Sequence, residues 1–417
     1  MEEVNNKKQI VFFCATTPYV MIYKIAREFK KKGYETVLIT ISPKETWEEN
    51  WYKNGFDKII CSNFRVSKPT LKNSFNMLKR APYLINTIYE MKKLKPYVVF
   101  AIARPNYITA LGMKFFKKYP VIYFPYDITA QQHSDLKTAL GGGVKKYEIN
   151  AEKYCFENAD GIMHKGASEE LEFLKGKTML GDNFISKITP LRINFLPYCS
   201  DEFIVPINKN KLSKKEGEFH LVHVGGLDVT EKVFAIYKTI FQELFEQKIH
   251  IHLYIKTQHL SQKEDSEYIS KGFDIFKKNK YFHVEYAVDP KKLIKEISKY
   301  DSGVILPNLR TTEFDMNSLF CIGNKISTFF EAGIPFIEDS KRKFTIKLID
   351  NYKVNTLINS DKLNNLKDIE KIDFIKLEKN ILKARKDFNM AKHFPRLEKF
   401  VEEVVRTKLG EDIKCLK

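Results

Sequence analysis

Short, almost wholly apolar runs alternate along this chain with longer stretches in which apolar positions recur every three or four residues. QIVFFCA (Gln9–Ala15) is followed by a segment from about Pro18 to Lys32 that places Ile22, Ile25, Ala26 and Phe29 on one helical face, then by Gly33 and the run TVLITI. A continuous apolar run of this length suits a strand buried on both faces, and the 3.6-residue period suits the helix that crosses between two such strands. YVVFAIA, VIYFPYD, GIMHKG and INFLPYCSD continue the strand series, with the helix-like KKYEINAEKYCFENAD before GIMHKG. A polar, lysine-rich stretch from Pro206 to Glu218 interrupts the pattern. It then begins again with FHLVHVGGL, a helix from about Glu231 to Gln247, IHIHLYI, YFHVEYA, the helix PKKLIKEISKY and the strand GVILP. Strand–helix units in succession without hairpin signals predict an α/β chain with parallel, doubly wound sheets.

The restart predicts two domains, a first over residues 1–205 and a second over 219–386, with 206–218 as the linker and 387–417 as a terminal helix returning to the first domain. A chain of 417 residues with 43% hydrophobic side chains can fill two cores. Its strongest apolar run, Tyr97 to Ala103, is far shorter than a membrane span, and the polar start MEEVNNKKQ is not a secretory leader. Both point to the cytoplasm. The six cysteines lie far apart without C-x-x-C pairs or the histidine spacing of a zinc motif, so no metal is expected. CATTPY between the first strand and helix lacks the three-glycine dinucleotide fingerprint, which argues against NAD or FAD.

Charge changes the picture in one place. The net charge is +18, and between Phe64 and Lys95 eight basic residues stand against the single acid Glu90, beside an apolar stripe of Leu71, Phe75 and Leu78. That combination suits either a solvated helix packed on the domain or a contact with an anionic membrane surface. Nucleic acid is not expected, since no recognition motif accompanies the charge.

The most informative run is GNKISTFFEAGIPFI (Gly323–Ile337), a short amphipathic helix ended by a glycine and followed within two residues by an apolar strand. The free N–H groups and positive dipole end of a helix start suit a diphosphate. This run resembles the donor-nucleotide corner of GT-B glycosyltransferases, and its K-x-S-x-aromatic-x-x-A-G-x-P form is similar to that of bacterial galactofuranosyltransferase-like and family 4-like surface-glycan transferases. The order of elements in the first half resembles the acceptor domain of the same fold.

The resemblance implies two Rossmann-like domains facing a cleft and transfer of a sugar from a nucleotide-diphosphate donor to a glycan or lipid-linked acceptor, with no further cofactor. It places Gly225, Gly226, Asn324, Lys325, Ser327 and Thr328 at the donor. Glu331 is the ribose ligand if the register is shifted. Lys232 stands near the family's usual lysine, while the family's usual arginine falls at Gly226; Lys256 and Arg310 follow strands from which they could replace it. Asp127, at the end of VIYFPYD, is the candidate general base ahead of His133 and His164. Arg104 and His133 are the candidate acceptor contacts. Two other readings remain open: a sugar-nucleotide epimerase of the same fold, and a binding protein without turnover.

Overall fold

The computed structural model describes residues 7–14, 19–40, 54–61, 85–103, 105–129, 146–173, 188–227, 231–255, 273–286, 289–306, 320, 322–358 and 374–410. The chain divides into two compact units, Met1–Leu196 with His393–Lys417, and Pro197–Lys392.

The first unit is built on a seven-stranded sheet of order β3-β2-β1-β4-β5-β6-β7. Its strands are β1 (Gln9–Cys14), β2 (Glu35–Thr40), β3 (Lys58–Cys61), β4 (Val98–Ile102), β5 (Val121–Phe124), β6 (Gly161–His164) and β7 (Arg192–Asn194). Every pairing is parallel. Helices α1 (Val20–Lys31), α2 (Asn106–Phe115) and α3 (Lys146–Asn158) supply the crossovers. Phe12, Phe29 and Phe100 are fully buried together, with Phe12 stacked on Phe100 at 5.2 Å.

The second unit carries the six-stranded order β10-β9-β8-β11-β12-β13, again wholly parallel. Its strands are β8 (His220–Val224), β9 (His250–Ile255), β10 (Phe282–Tyr286), β11 (Ser302–Val304), β12 (Phe336–Asp339) and β13 (Asn355–Ile358). Helices α4 (Glu231–Glu246), α5 (Pro290–Ile297), α6 (Asn324–Ala332) and α7 (Phe374–Asp387) complete it. Tyr237, Phe241, Phe273, Phe276 and Phe282 form the densest part of its core, between α4 and the sheet.

The unit boundaries lie elsewhere than the polar stretch suggests. Residues from Pro197 onward belong to the second unit because its backbone donors end there: Ser200 N–H donates to the Glu331 carboxylate at 2.8 Å and Val205 N–H to the Glu331 carbonyl at 3.1 Å. The Pro206–Glu218 stretch, expected as a linker, contains the short helix Leu212–Glu216, ended by Gly217 in the left-handed region. The buried Lys211 ammonium donates to the Ser298 carbonyl at 3.0 Å, which fixes this stretch to the second unit. Two strands, β3 and β13, extend the sheets beyond the runs recognised in the sequence.

The last helix, α8 (Met390–Leu409), carries Phe394, Leu397, Phe400, Val401, Val404 and Val405 as a buried stripe. From His393 onward it belongs to the first unit, where Phe394 meets Phe29 edge to face at 4.8 Å and Arg396 caps the Asn194 carbonyl at 2.9 Å. Gly161 lets it approach β6, for a methyl group there would stand 2.6 Å from Val404.

Candidate functional site

In both sheets the strand order reverses once, between β1 and β4 and between β8 and β11. Open parallel sheets bind ligands outside the carboxyl ends of the strands at that reversal. In the second unit this is where β8 runs into Gly225 and Gly226, and where α6 begins.

Gly323 is the residue before α6, with extended backbone and no side-chain cap. Its first turn therefore presents N–H groups that the N-cap residue does not cap from a side chain, the condition for anion binding. Lys325, half-buried in the first turn, runs back beside Gly225 so closely that a methyl group on Gly225 would stand 3.3 Å from its Cε. Gly225 has φ of +101°, which a side chain would strain, so glycine is needed here both for backbone and for the lysine's path. Gly226 faces open space.

His223, fully buried at the end of β8, donates from Nδ1 to the Val304 carbonyl at 3.0 Å. That fixes the tautomer and leaves the Nε2 lone pair toward the Lys325 ammonium, 3.4 Å away. Burial and then the Arg342 charge push the Lys325 pKa down to about 7. Arg342, just beyond β12, pairs through Nε with Glu338 Oε1 at 2.9 Å, and its Nη2 reaches to 3.8 Å from where a Gly323 side chain would start. Burial raises the Glu338 carboxyl to about 7 against the opposing pull of Arg342. Two cationic side chains and a helix start thus converge in one place, and the lysine holds its proton weakly.

The other expected donor residues are placed differently. Ser327 and Thr328 donate their hydroxyls to the Asn324 carbonyl at 2.9 and 3.2 Å, so both are engaged within the helix. Glu331 lies six residues beyond Lys325, about 9 Å along the axis, and its buried carboxylate holds Ser200. Its role is to fasten the Pro197–Val205 segment, neither solvent-facing nor at the diphosphate corner. The side chain of Lys232, and Lys256 and Arg310 altogether, lie outside the described residues, as do Arg104 and His133. His223 and Arg342 were missed from sequence. Position at a carboxyl strand end was the available signal for both.

The glycine that ends α6 is a separate constraint. Gly333 has φ of +71°, and a methyl group there would meet Ile207 Cδ1 at 2.4 Å and Arg385 Nη2 at 2.6 Å. Arg385 is buried and donates to the Phe330 and Glu331 carbonyls, so it has nowhere to go. Gly333→Ala is expected to destabilise the second unit by about 2–3 kcal/mol, adding left-handed strain to overpacking. Urea unfolding followed by near-UV circular dichroism measures this, and an unchanged midpoint would show that the corner yields freely.

In the first unit Asp127 follows β5 and pairs with Lys165 at 2.9 Å. The buried Lys165 ammonium also sits 3.8 Å above the Tyr126 ring, which is stacked on Tyr19. Glu152 on α3 accepts from Thr129 N–H at 2.7 Å and from the Asn106 amide at 3.4 Å, so the turn carrying Asp127 is held from behind by a buried polar network. His164 is engaged with Glu170, both buried, at 3.2 Å.

Comparison with known proteins locates this arrangement. No protein-family model and no curated protein matches the chain. Solved structures do. Sucrose-phosphate synthase of Thermosynechococcus elongatus superposes with a TM-score of 0.65 at 12% identity, covering 96% of this chain and 100% of that one. HepE of Anabaena, solved with UDP and glucose, gives 0.61 at 10% identity over 95% and 100%. A glycosyltransferase of Rickettsia africae gives 0.57 at 10% over 96% and 99%. The fold is GT-B: two Rossmann-like parallel-sheet units and a terminal helix.

Proposed function

We propose that the chain is a glycosyltransferase that takes a sugar from a nucleotide-diphosphate donor and passes it to a glycan or lipid-linked acceptor of a bacterial surface polysaccharide or glycoconjugate. The observation that carries this reading is the uncapped start of α6 with Lys325 laid against Gly225 at the strand-order reversal of the second sheet. The likeness to HepE, whose solved structure holds UDP and glucose, supports a donor at the same place in the fold.

In this reading the α6 N–H groups, Lys325 and Arg342 meet the charge that grows on the leaving diphosphate, the largest electrostatic demand of glycosyl transfer. Gly225 and Gly226 let backbone approach the phosphates. Ser327, Thr328, Lys232, Lys256 and Arg310 remain candidate donor contacts, Arg104 and His133 candidate acceptor contacts, and Asp127 the candidate base for the acceptor hydroxyl. An epimerase of this fold would use several carboxylates around the sugar. Among the described residues the corner offers Glu338, which is paired with Arg342.

The testing experiment is a thermal-shift panel of UDP, GDP, CDP, ADP, dTDP and CMP, followed by turnover with sugars of the nucleotide that binds. One nucleotide is expected to raise the melting temperature in proportion to saturation. Hydrolysis or isomerisation of the donor in the absence of any acceptor would favour the epimerase, and binding without turnover would favour the noncatalytic protein.

The reading places the enzyme in the cytoplasm, against the inner face of the membrane. Among the described residues no helix is long and apolar enough to cross a bilayer. Residues 62–84 lie outside the described part, but the helical residues 85–93 that follow expose Ile85, Ile88 and Tyr89, at 66%, 39% and 58%, beside Lys92 and Lys93. These positions share one face at i, i+3 and i+4. Ile85→Glu with Tyr89→Glu is expected to lower sedimentation with phosphatidylserine vesicles by about tenfold. Unchanged sedimentation would remove this face from the membrane contact.

A further inference from the structure

Four of the nine histidines stand together at the end of the second sheet opposite the donor corner. His220 opens β8, His250 opens β9 and pairs with it, and His252 on β9 pairs with His283 on β10. Side chains of paired residues in parallel strands project to the same face, so all four rings share it. His220 stacks on His250 at 4.3 Å between centroids and His252 on His283 at 4.2 Å. One nitrogen from each of His220, His250 and His252 lies within 4.8 Å of the other two, and all three residues are buried.

The carboxylates around the cluster settle which nitrogens carry lone pairs. His250 Nε2 faces Glu218 Oε2 at 2.8 Å, and His252 Nδ1 faces Glu285 Oε1 at 3.5 Å. Protons on those two nitrogens leave lone pairs on His250 Nδ1 and His252 Nε2, both directed inward. His283 Nε2 then donates to His250 Nδ1 at 2.8 Å, and His220 Nδ1 donates to His252 Nε2 at 3.0 Å. The consequence falls on His220. Its Nε2 is left with a lone pair that makes no hydrogen bond while Glu216 Oε2 stands 3.3 Å away, a buried acceptor facing an acceptor.

We infer that His220, His250 and His252 form a binding site for a divalent transition-metal ion of the zinc type; His283 joins as a fourth nitrogen in the tautomer that moves its proton from Nε2 to Nδ1. A cation between the rings takes the lone pairs of His250 Nδ1 and His252 Nε2 and replaces the proton on His220 Nδ1. That proton moves to His220 Nε2, where it donates to Glu216 and removes the mismatch. Zinc–nitrogen bonds of about 2.0–2.1 Å put tetrahedral ligand atoms about 3.3 Å apart, so the present 3.0 Å pair opens slightly and the widest pair closes. Glu218 and Glu285 become the carboxylate partners that orient metal-bound imidazoles. Nitrogen donors without thiolates suit zinc, nickel, cobalt or copper rather than magnesium or calcium.

The site is structural in kind. His220 opens β8 and Gly225 follows its last residue, roughly 16 Å away at 3.3 Å per residue, which separates the ion from the donor. It clamps the entrances of β8, β9 and β10, three strands whose crossovers are long in sequence.

The test is a titration of tag-free, chelator-stripped full-length protein with Co2+ and then Zn2+. One Co2+ per chain is expected, with the visible absorption of a tetrahedral nitrogen site, displaced by one Zn2+. Zinc at a hundredfold excess over its Kd is expected to raise the melting temperature by about 5–10 °C. His250→Gln with His252→Gln should abolish the cobalt spectrum, and Glu218→Gln, which keeps every ring in place, should weaken zinc 10- to 100-fold. Folded wild-type protein that gives no cobalt spectrum overturns the site. So does a Glu218→Gln protein that binds zinc as tightly as wild type, or a folded double variant that retains the spectrum. The nucleotide thermal shift, run on stripped protein, reports on the donor corner independently of either result.

Discussion

Lys325→Ala is expected to weaken binding of the donor nucleotide by about 100- to 1,000-fold, within the roughly 2–5 kcal/mol lost when one partner of a buried, hydrogen-bonded charge pair is truncated. The alanine leaves α6 intact, because Lys325 sits in its first turn with its stem against Gly225 rather than in the core. A melting temperature in the absence of nucleotide close to that of wild type should accompany the loss.

The pH dependence follows from the same residue. In the free protein burial and Arg342 hold its pKa down to about 7, and a bound diphosphate raises it toward the ordinary lysine value of 10.5. The bound state therefore holds more proton than the free state above pH 7. Affinity is full below about pH 7 and falls as the pH rises, by at most tenfold per unit. Calorimetric titration between pH 7 and 9 with the sugar nucleotide, whose diphosphate is esterified at both ends and keeps its charge there, should show this slope and proton uptake in wild type. Lys325→Met should show neither. A flat wild-type profile with unchanged Lys325→Ala affinity would take the lysine out of the site.

Asp127→Asn is expected to lower kcat by about 100-fold or more, the contribution of a positioned general base, with the donor KM changed less than twofold. The carboxylate follows β5, its Lys165 partner holds one oxygen at 2.9 Å, and the side chain is 29% exposed, so it remains accessible to an acceptor hydroxyl. Asparagine keeps the shape and the support from Glu152 behind the turn while removing the basic oxygen. Lys165→Met separates the roles: it removes the pairing without the carboxylate, and a base should survive it with an altered pH–rate profile. A kcat within threefold of wild type for Asp127→Asn would reduce the residue to a structural partner of Lys165.

What the sequence disclosed and what it hid divide along a physical line. The α6 corner was legible because its signals are local: Gly333 ends a helix where only a left-handed residue fits, and Lys325 belongs to the helix it serves. The parallel sheets were legible because buried strands are continuous apolar runs, as in Val98–Ile102. β3, KIIC, was passed over because four residues, three of them only partly buried, carry too little pattern to separate from a turn. Arg342 reaches Gly323 from nineteen positions away, His223 meets Lys325 from 102 positions away, and no local spacing announces either. The same distance concealed the histidine cluster, whose members are brought together by strand register. Glu331 misled for the opposite reason. Its place in the motif suggested a ligand, while the fold spends it on the backbone of Ser200.

Gly323 brings no side-chain oxygen to the amino end of α6. Under the proposed function, a notch that gathers positive charge in a cell rich in inorganic phosphate meets competing small anions, so a donor arrives by exchange with them rather than by filling a void. Its apparent KM then rises with phosphate concentration. For a glycosyltransferase of the proposed kind below donor saturation, the rate of sugar transfer would by that competition follow the ratio of activated sugar to free phosphate, which is a measure of how well fed the cell is.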